Sequence, residues 1–256
     1  MPTRLLRIAS SDKVEDLSES NSKFTVSLNE TLNVQQIKGY SVLSASFPNT
    51  FYNISEADLT NLLVILVSNG VDGVIPYHVT IPPGFYNIDD LMTALKKAID
   101  PGLTPDTITI SLKSDSDPRL VFTMSASPLT TSFTTQGGNM HKVLGITQDS
   151  PFQKEYTCDE LPRLQGTTNA YLHSRVLGQG NLLDAEGRIF STICAIPIRA
   201  EYGFYNHWET ADEDLFSVAF PSPRNLQSIN IVLRDLDGRV LDIRQHELTV
   251  VLRVFY

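Results

Sequence analysis

The sequence predicts a mainly β protein: a sandwich or barrel of short strands, interrupted by a small α+β unit holding one amphipathic helix. Three observations lead there. Apolar and polar residues alternate with period two in Lys23-Phe-Thr-Val-Ser-Leu28 and Gly39-Tyr-Ser-Val-Leu-Ser-Ala-Ser46, which puts every second side chain on one face of a sheet. One stretch, 88–99, carries apolar residues at helical spacing instead. After residue 169, turn residues separate strand-like runs at the intervals of a sandwich or barrel.

Taken in order, the two opening strands are separated by a polar break at Asn29-Glu30-Thr31. The second should leave the sheet at Pro48-Asn49, since proline lacks an N–H and asparagine tolerates turn geometry, with Phe51 and Tyr52 anchoring the corner. Sheet segments follow at 62–67, closed by Asn69-Gly70, and at 77–81, closed by Pro82-Pro83-Gly84. The helix comes next. Asn87 can cap its free N–H groups, Asp89 and Asp90 suit the positive end of its dipole, and Tyr86 can staple onto Leu91. Ile88, Leu91, Met92, Leu95, Ala98 and Ile99 form one face, and Pro101-Gly102 ends the run. A stripe of this length reads as core packing against a sheet.

A hairpin at 107–112 and 119–124, joined by a polar loop at 113–118, completes a ββαββ unit. Gly137-Gly138 sits in a polar turn without the strand-to-helix setting or the lysine of a phosphate loop. Strands are then expected at 171–176, 190–198, 215–220, 226–234 and 248–255. Asp237-Gly238 is a tight-turn signal, so its flanks should pair antiparallel. The last strand, apolar on both faces, reads as central.

Composition narrows the function. With 256 residues, 41% hydrophobic and 19% charged, the chain can bury roughly three quarters of its unfolded surface. Cys158 and Cys194 are far apart and expected to be free thiols, pointing to synthesis in a reducing compartment. The N-terminal apolar stretch is too short for a signal peptide, and no window approaches the ~18 apolar residues of a membrane span. The sequons Asn29-Glu-Thr31 and Asn53-Ile-Ser55 read as turn residues. A net charge of −9 argues against a broad grip on nucleic acid. Arg4 and Arg7 form a basic N-terminal end, and Glu209-Thr-Ala-Asp-Glu-Asp214 lacks the glycine of a calcium loop.

Catalytic signatures are missing. His78, His141, His173, His207 and His246 are scattered without metal-ligand spacing, no Gly-x-Ser-x-Gly elbow occurs, and neither cysteine lies in a nucleophile motif. Gly178-Gln-Gly-Asn181 has no phosphate-binding context. We expect no enzyme, cofactor or metal. Trp208, the lone tryptophan, lies in an aromatic segment with Tyr202, Phe204 and Tyr205 that reads as a loop between strands. Flat rings offer large contact area at little entropic cost, so this loop is a candidate contact with a partner or a sugar.

Several segments share their order and spacing with one family. They are Ser20-Asn21-Ser22 before the strand at Phe24, Pro48-Asn-Thr-Phe-Tyr-Asn-Ile54, Ile81-Pro-Pro-Gly-Phe-Tyr-Asn-Ile88, Lys142-Val-Leu-Gly-Ile146, Asn169-Ala-Tyr-Leu-His-Ser174, and the end from Arg224-Asn-Leu-Gln-Ser-Ile229 through Asp237-Gly238. In these the chain resembles the penton, or minor capsid, proteins of virophages, polinton-like viruses and related double-stranded DNA viruses. The resemblance implies a single jelly-roll β-sandwich with an inserted α+β subdomain: a flexible arm at 1–22, a jelly roll from 23–54 plus 163–256, and the insertion at 55–162. It places the last strand beside the first, giving Phe24, Val26 and Leu28 partners from the C-terminus. It further implies a homopentamer at the fivefold vertices of an icosahedral capsid, contacting a double-jelly-roll major capsid protein. The chain would be made in host cytoplasm or a viral factory and reside in the virion. Tyr202, Phe204, Tyr205 and Trp208 would then be a subunit-contact loop, and Arg4 and Arg7 part of an arm ordered by capsid neighbours. A carbohydrate- or receptor-binding sandwich is the alternative reading.

Overall fold

The computed structural model describes residues 2–14, 20–28, 36–68, 73–99, 108–125, 130–178, 182–183, 189–212 and 217–256. The expected break at 29–31, the turns at 69–70 and 101–102, the loop 179–181 and the acidic pair 213–214 lie outside these residues. The chain divides into two compact units, Met1–Phe51 with Thr167–Tyr256, and Tyr52–Gly166.

The first unit contains β1 (Thr3–Ala9), β2 (Lys23–Ser27) and β3 (Ile37–Pro48). The second contains β4 (Leu62–Ser68), β5 (Val74–Thr80), α1 (Ile88–Ile99), β6 (Ile108–Ser114), β7 (Asp117–Met124), β8 (Thr130–Thr134), α2 (Met140–Leu144) and β9 (Glu155–Thr157). The chain then returns to the first unit with β10 (Asn169–His173), β11 (Leu182–Leu183), β12 (Ile189–Phe190), β13 (Thr192–Pro197), β14 (Tyr205–Glu209), β15 (Ser217–Arg224), β16 (Ser228–Arg234) and β17 (Thr249–Phe255).

Two large sheets make most of the first unit, beside the separate two-stranded pair β11-β12. One runs β1-β17-β3-β14, with β15 pairing the same strand β3, and the other runs β13-β10-β16-β2. Strand β14 pairs with β3 from Ser44 to Pro48 and β15 from Ile37 to Ser41, so the two occupy one position along a single edge. Numbered on that basis, the eight strand positions fall in the orders 1-8-3-6 and 5-4-7-2, a jelly roll. The second unit joins strands three and four of that scheme along the chain. Alternation explains the core: Leu6 and Ile8 from β1, Phe24 and Val26 from β2, Tyr40 and Val42 from β3, Ile229, Ile231 and Leu233 from β16, and Val250, Leu252 and Val254 from β17 are all buried in one cluster. Each such side chain contributes about 1.5 to 3 kcal/mol of burial.

Four expectations are corrected here. Residues 3–9 are a strand, not part of a flexible arm: all seven pair with β17, in register from Thr3↔Phe255 to Ala9↔Thr249, and Leu6, Ile8 and Ala9 are buried. Arg4 and Arg7 beside adjacent Leu5 and Leu6 blur the alternation, so the segment reads as a polar end. The strand beside the last one is therefore β1, while β2, carrying Phe24 and Val26, pairs with β16 in the opposite sheet. The Asp237-Gly238 turn forms, with Gly238 at φ 81° and the Asp235 N–H donating to Arg239 O at 2.9 Å. Pairing beyond it is a single bridge, Arg234↔Val240, because β16 and β17 belong to different sheets. The segment expected as an aromatic loop contains a strand, β14. Strand β17 does lie between β1 and β3, as its two apolar faces require.

In the second unit the hairpins on either side of α1 enter separate sheets, β5-β4-β8 and β6-β7-β9. The Asn87 Oδ1 accepts the Asp90 N–H at 2.9 Å, capping α1, and Leu91, Leu95 and Ile99 bury its apolar face. Phe133 lies 4.7 Å from the Phe122 ring and 4.9 Å from that of Tyr156 at the centre of this core. The expected loop at 113–118 is far tighter: Ser114 pairs with Asp117, leaving Asp115 and Ser116 as the turn. The carboxylate of Asp117 bridges Lys113 at 3.1 Å and Arg119 at 2.8 Å. A second helix, α2, too short at five residues to show a periodic pattern, ends in Gly145 at φ 81°, whose N–H donates to His141 O. A Cβ there would meet Glu160 O at 2.3 Å, so the position admits only glycine.

Candidate functional site

Asn49, the turn residue that follows β3, builds the first part of the site. Its N–H donates to Phe204 O, its carbonyl accepts the Gly203 N–H, and its side-chain amide donates to Ala200 O, each at 2.8 Å. Gly203 takes φ 87°, a conformation with no steric cost for glycine. The turn clamped on Asn49 thus presents Phe204, 65% exposed, and leads into β14 with Tyr205 44% exposed.

Strand β14 then alternates. Asn206 and Trp208 pair with Phe47 and Ala45, which are buried in the core, while Tyr205, His207 and Glu209 pair with Pro48, Ser46 and Ser44 on the outer face. Asn206 is a buried polar residue because its carboxamide receives the Arg199 and Ala200 N–H groups and donates to Pro197 O. Beside this row, β17 contributes Thr249 opposite Ser46. Ser44, Ala45, Ser46, His207, Trp208, Glu209 and Thr249 line a groove of about 340 Å³.

Two histidines that are far apart in sequence meet here. The Tyr205 ring lies 6.0 Å from His207 in a stacked orientation and 6.3 Å from His246 edge-on. His246 sits on a turn in which Arg244 and Gln245 both take positive φ, 51° and 65°. Bulky residues adopt that conformation only under constraint. The constraint is Asn21, whose side-chain amide donates to Gln245 O and His246 O, with the Arg244 N–H on Asp242 Oδ1 at 2.8 Å.

Of the residues singled out in sequence, Phe204 and Tyr205 stand exposed beside the groove and Trp208 lines it while packing against the core. Tyr202 precedes them in the turn. Arg7 lies elsewhere on the same sheet, pairing with Glu247 at 2.7 Å and Asp12 at 3.8 Å, both exposed contacts of small energetic value. Arg4 is exposed on β1 opposite Val254.

The chemistry available in the groove is hydrogen bonding. Ser46 Oγ and His207 Nδ1 are 2.9 Å apart, the first contact of an activated nucleophile. Among the described residues no carboxylate orients the ring's other nitrogen, and β3 is paired along both edges, which occupies its backbone donors. No cluster of three metal-ligating side chains occurs among the described residues. Glu209 and Ser44 form no hydrogen bond or ion pair with another described side chain, and Thr249 donates to Glu247 Oε1 at 2.8 Å.

Outside the groove, two buried polar residues, Asn53 and His173, were not read fully from sequence, whereas the two cysteines are free thiols as expected. Asn53, within one sequon, is 9% exposed and spends its side chain on the fold. Its amide donates to Tyr86 O at 2.8 Å and Leu164 O at 2.9 Å, and its oxygen accepts the Tyr86 N–H at 2.9 Å. This joins two of the segments that carry the family resemblance, and it leaves the nitrogen inaccessible to glycosylation in the folded chain. His173 is buried on β10, 3.2 Å from Thr192 Oγ1, and burial followed by the charge of Arg234 pushes it down to about 4. Cys158 and Cys194 are free and buried, one in each unit, and burial pushes both thiols up to about 12.

Neither a protein-family model nor a curated protein matches the sequence. Two domains of the flagellar cap protein FliD from Escherichia coli align over 98% of both chains at 8% identity, but a TM-score of 0.19 marks no common fold. The crystal structure of the mavirus penton protein aligns with 100% of this chain and 99% of its own, with a TM-score of 0.57 and 12% identity. Over its whole length the chain has the fold of that penton protein.

Proposed function

We propose that this chain is a structural virion protein, a penton that closes the fivefold vertices of an icosahedral capsid as a homopentamer. The observation that carries the reading is the whole-chain match in fold to the mavirus penton protein, jelly roll and intervening unit together. The role is geometric. A shell tiled by pseudo-hexagonal trimers of a double-jelly-roll major capsid protein needs a fivefold object at each vertex, and head-to-tail contacts closed by rotation supply one. In this reading residues 23–54 and 163–256 are the jelly-roll framework and 55–162 its inserted subdomain. Residues 10–22 contact neighbouring capsid subunits, the protein resides in the virion, and it performs no catalysis. Light scattering of the purified chain across a range of concentrations tests the assembly: a mass of five chains is expected, and a stable trimer would count against it.

The binding-module reading retains one observation. Exposed Phe204 and Tyr205 stand beside a polar groove, which a structural protein can carry as well.

A further inference from the structure

We propose that the groove formed by β3, β14 and β17 is a binding site for a neutral sugar, with Tyr205 as its aromatic platform and Glu209 as its hydroxyl acceptor. The proposal is independent of the capsid role.

The lining selects the ligand class. Ser44, Ser46 and Thr249 give one wall a row of hydroxyls, His207 adds an imidazole, and Glu209 adds a carboxylate. Ser46 Oγ on Nδ1 fixes the His207 ring, so Nε2 is left for a ligand. Glu209 has no protein partner among the described residues, which leaves its oxygens able to accept hydrogen bonds from adjacent hydroxyls. Tyr205, 44% exposed, stands beside the groove with its ring stacked on His207 at 6.0 Å, so its exposed part can meet the apolar side of a pyranose held by the lining. A volume of about 340 Å³ suits one or two sugar rings.

Competing ligands fit less well. An anion would meet Glu209, the one permanent charge among the described lining residues. A divalent cation would find a single carboxylate and no cluster of three ligands. A lipid chain needs a continuous apolar trough, whereas hydroxyls, an imidazole and a carboxylate interrupt the apolar surface of Ala45 and Trp208 in this lining. The strained turn carrying His246 lies next to the groove: Asn21 holds its backbone, and the His246 ring stands nearly perpendicular to that of Tyr205, 6.3 Å away.

The lone tryptophan lines the groove and reports on it. The experiment titrates the full chain separately with galactose, mannose, glucose and N-acetylglucosamine to about 50 mM, a range that detects weak millimolar affinities, and follows Trp208 emission. A saturable change with at least one sugar is expected. It should weaken about 10-fold or more in Glu209→Gln and Tyr205→Ala, with circular dichroism unchanged, and persist in Leu236→Ser on the turn after β16. Glu209→Gln is nearly isosteric and tests the proposal even if Tyr205→Ala misfolds. No response to any sugar, or an equal response in Glu209→Gln, overturns the proposal. An emission change that follows protein concentration and not sugar also overturns it, assigning the groove to a second copy of the chain.

Discussion

His173 and Asn53 show how single buried polar groups set the chain's response to pH and mutation. Burial and the charge of Arg234 depress His173 to about 4 from an ordinary value near 6.5. The folded chain therefore prefers the neutral ring: this contribution is fully present above about pH 6.5 and is lost as pH falls toward 4. Urea unfolding at pH 7 and at pH 4.5 should show the native chain losing roughly 2 to 3 kcal/mol more than His173→Gln over that interval; equal losses would refute the assignment. Asn53→Ala removes three hydrogen bonds and strands the Tyr86 N–H, a cost of about 2 to 4 kcal/mol. Amide exchange should accelerate in residues 53–54, 84–86 and 164–166 while β16 and β17 stay protected; unchanged exchange at Tyr86 would show that the pin is dispensable. Neither role was legible in the sequence. A sequon and a scattered histidine look alike whether exposed or buried, because the partners of Asn53 lie 33 and 111 residues away.

Elements were legible where side chains alternate or repeat cleanly. Strands β3, β4, β7, β16 and β17 and helix α1 with its Asn87 cap fall close to the positions their periodicity predicts. Two strands were hidden for physical reasons. In β1 Arg4 interrupts the face that carries Leu6 and Ile8 while Leu5 stands on the other, and in β14 the inward position is held by Asn206, whose side chain caps backbone groups that no local pattern announces. The pairing of elements was harder still, since β1 and β17 meet across almost the whole chain. Val26 and Leu252, expected to be neighbours in one sheet, lie in opposite sheets and share one buried cluster. Val26→Asp and Leu252→Asp should therefore each abolish soluble expression, since either buries an unpaired carboxylate. Leu5→Asp, at an exposed position on the same strand as buried Leu6, should remain soluble. Folded recovery of both core variants would contradict the shared core.

At the scale of the molecule, the sequence carries the fold class and the family resemblance. Sheet order is what adds the jelly roll, and alignment with the mavirus penton protein adds likeness in fold over the full length. The groove beside Tyr205 was only half visible. Its aromatic residues cluster in sequence, whereas Ser44, Ser46 and Thr249 join them through pairings 161 to 203 residues long that no local motif encodes. A penton claims a particular place in a particle, and that place can be imaged. The decisive measurement is electron cryomicroscopy of particles assembled by co-expressing this chain with a double-jelly-roll major capsid protein, reconstructed without imposed symmetry at the vertices. The account predicts five copies of the chain ringed around each fivefold axis, traced through β1 to β17. Vertices filled by another protein, with this chain absent from them or present in a threefold arrangement, would contradict it.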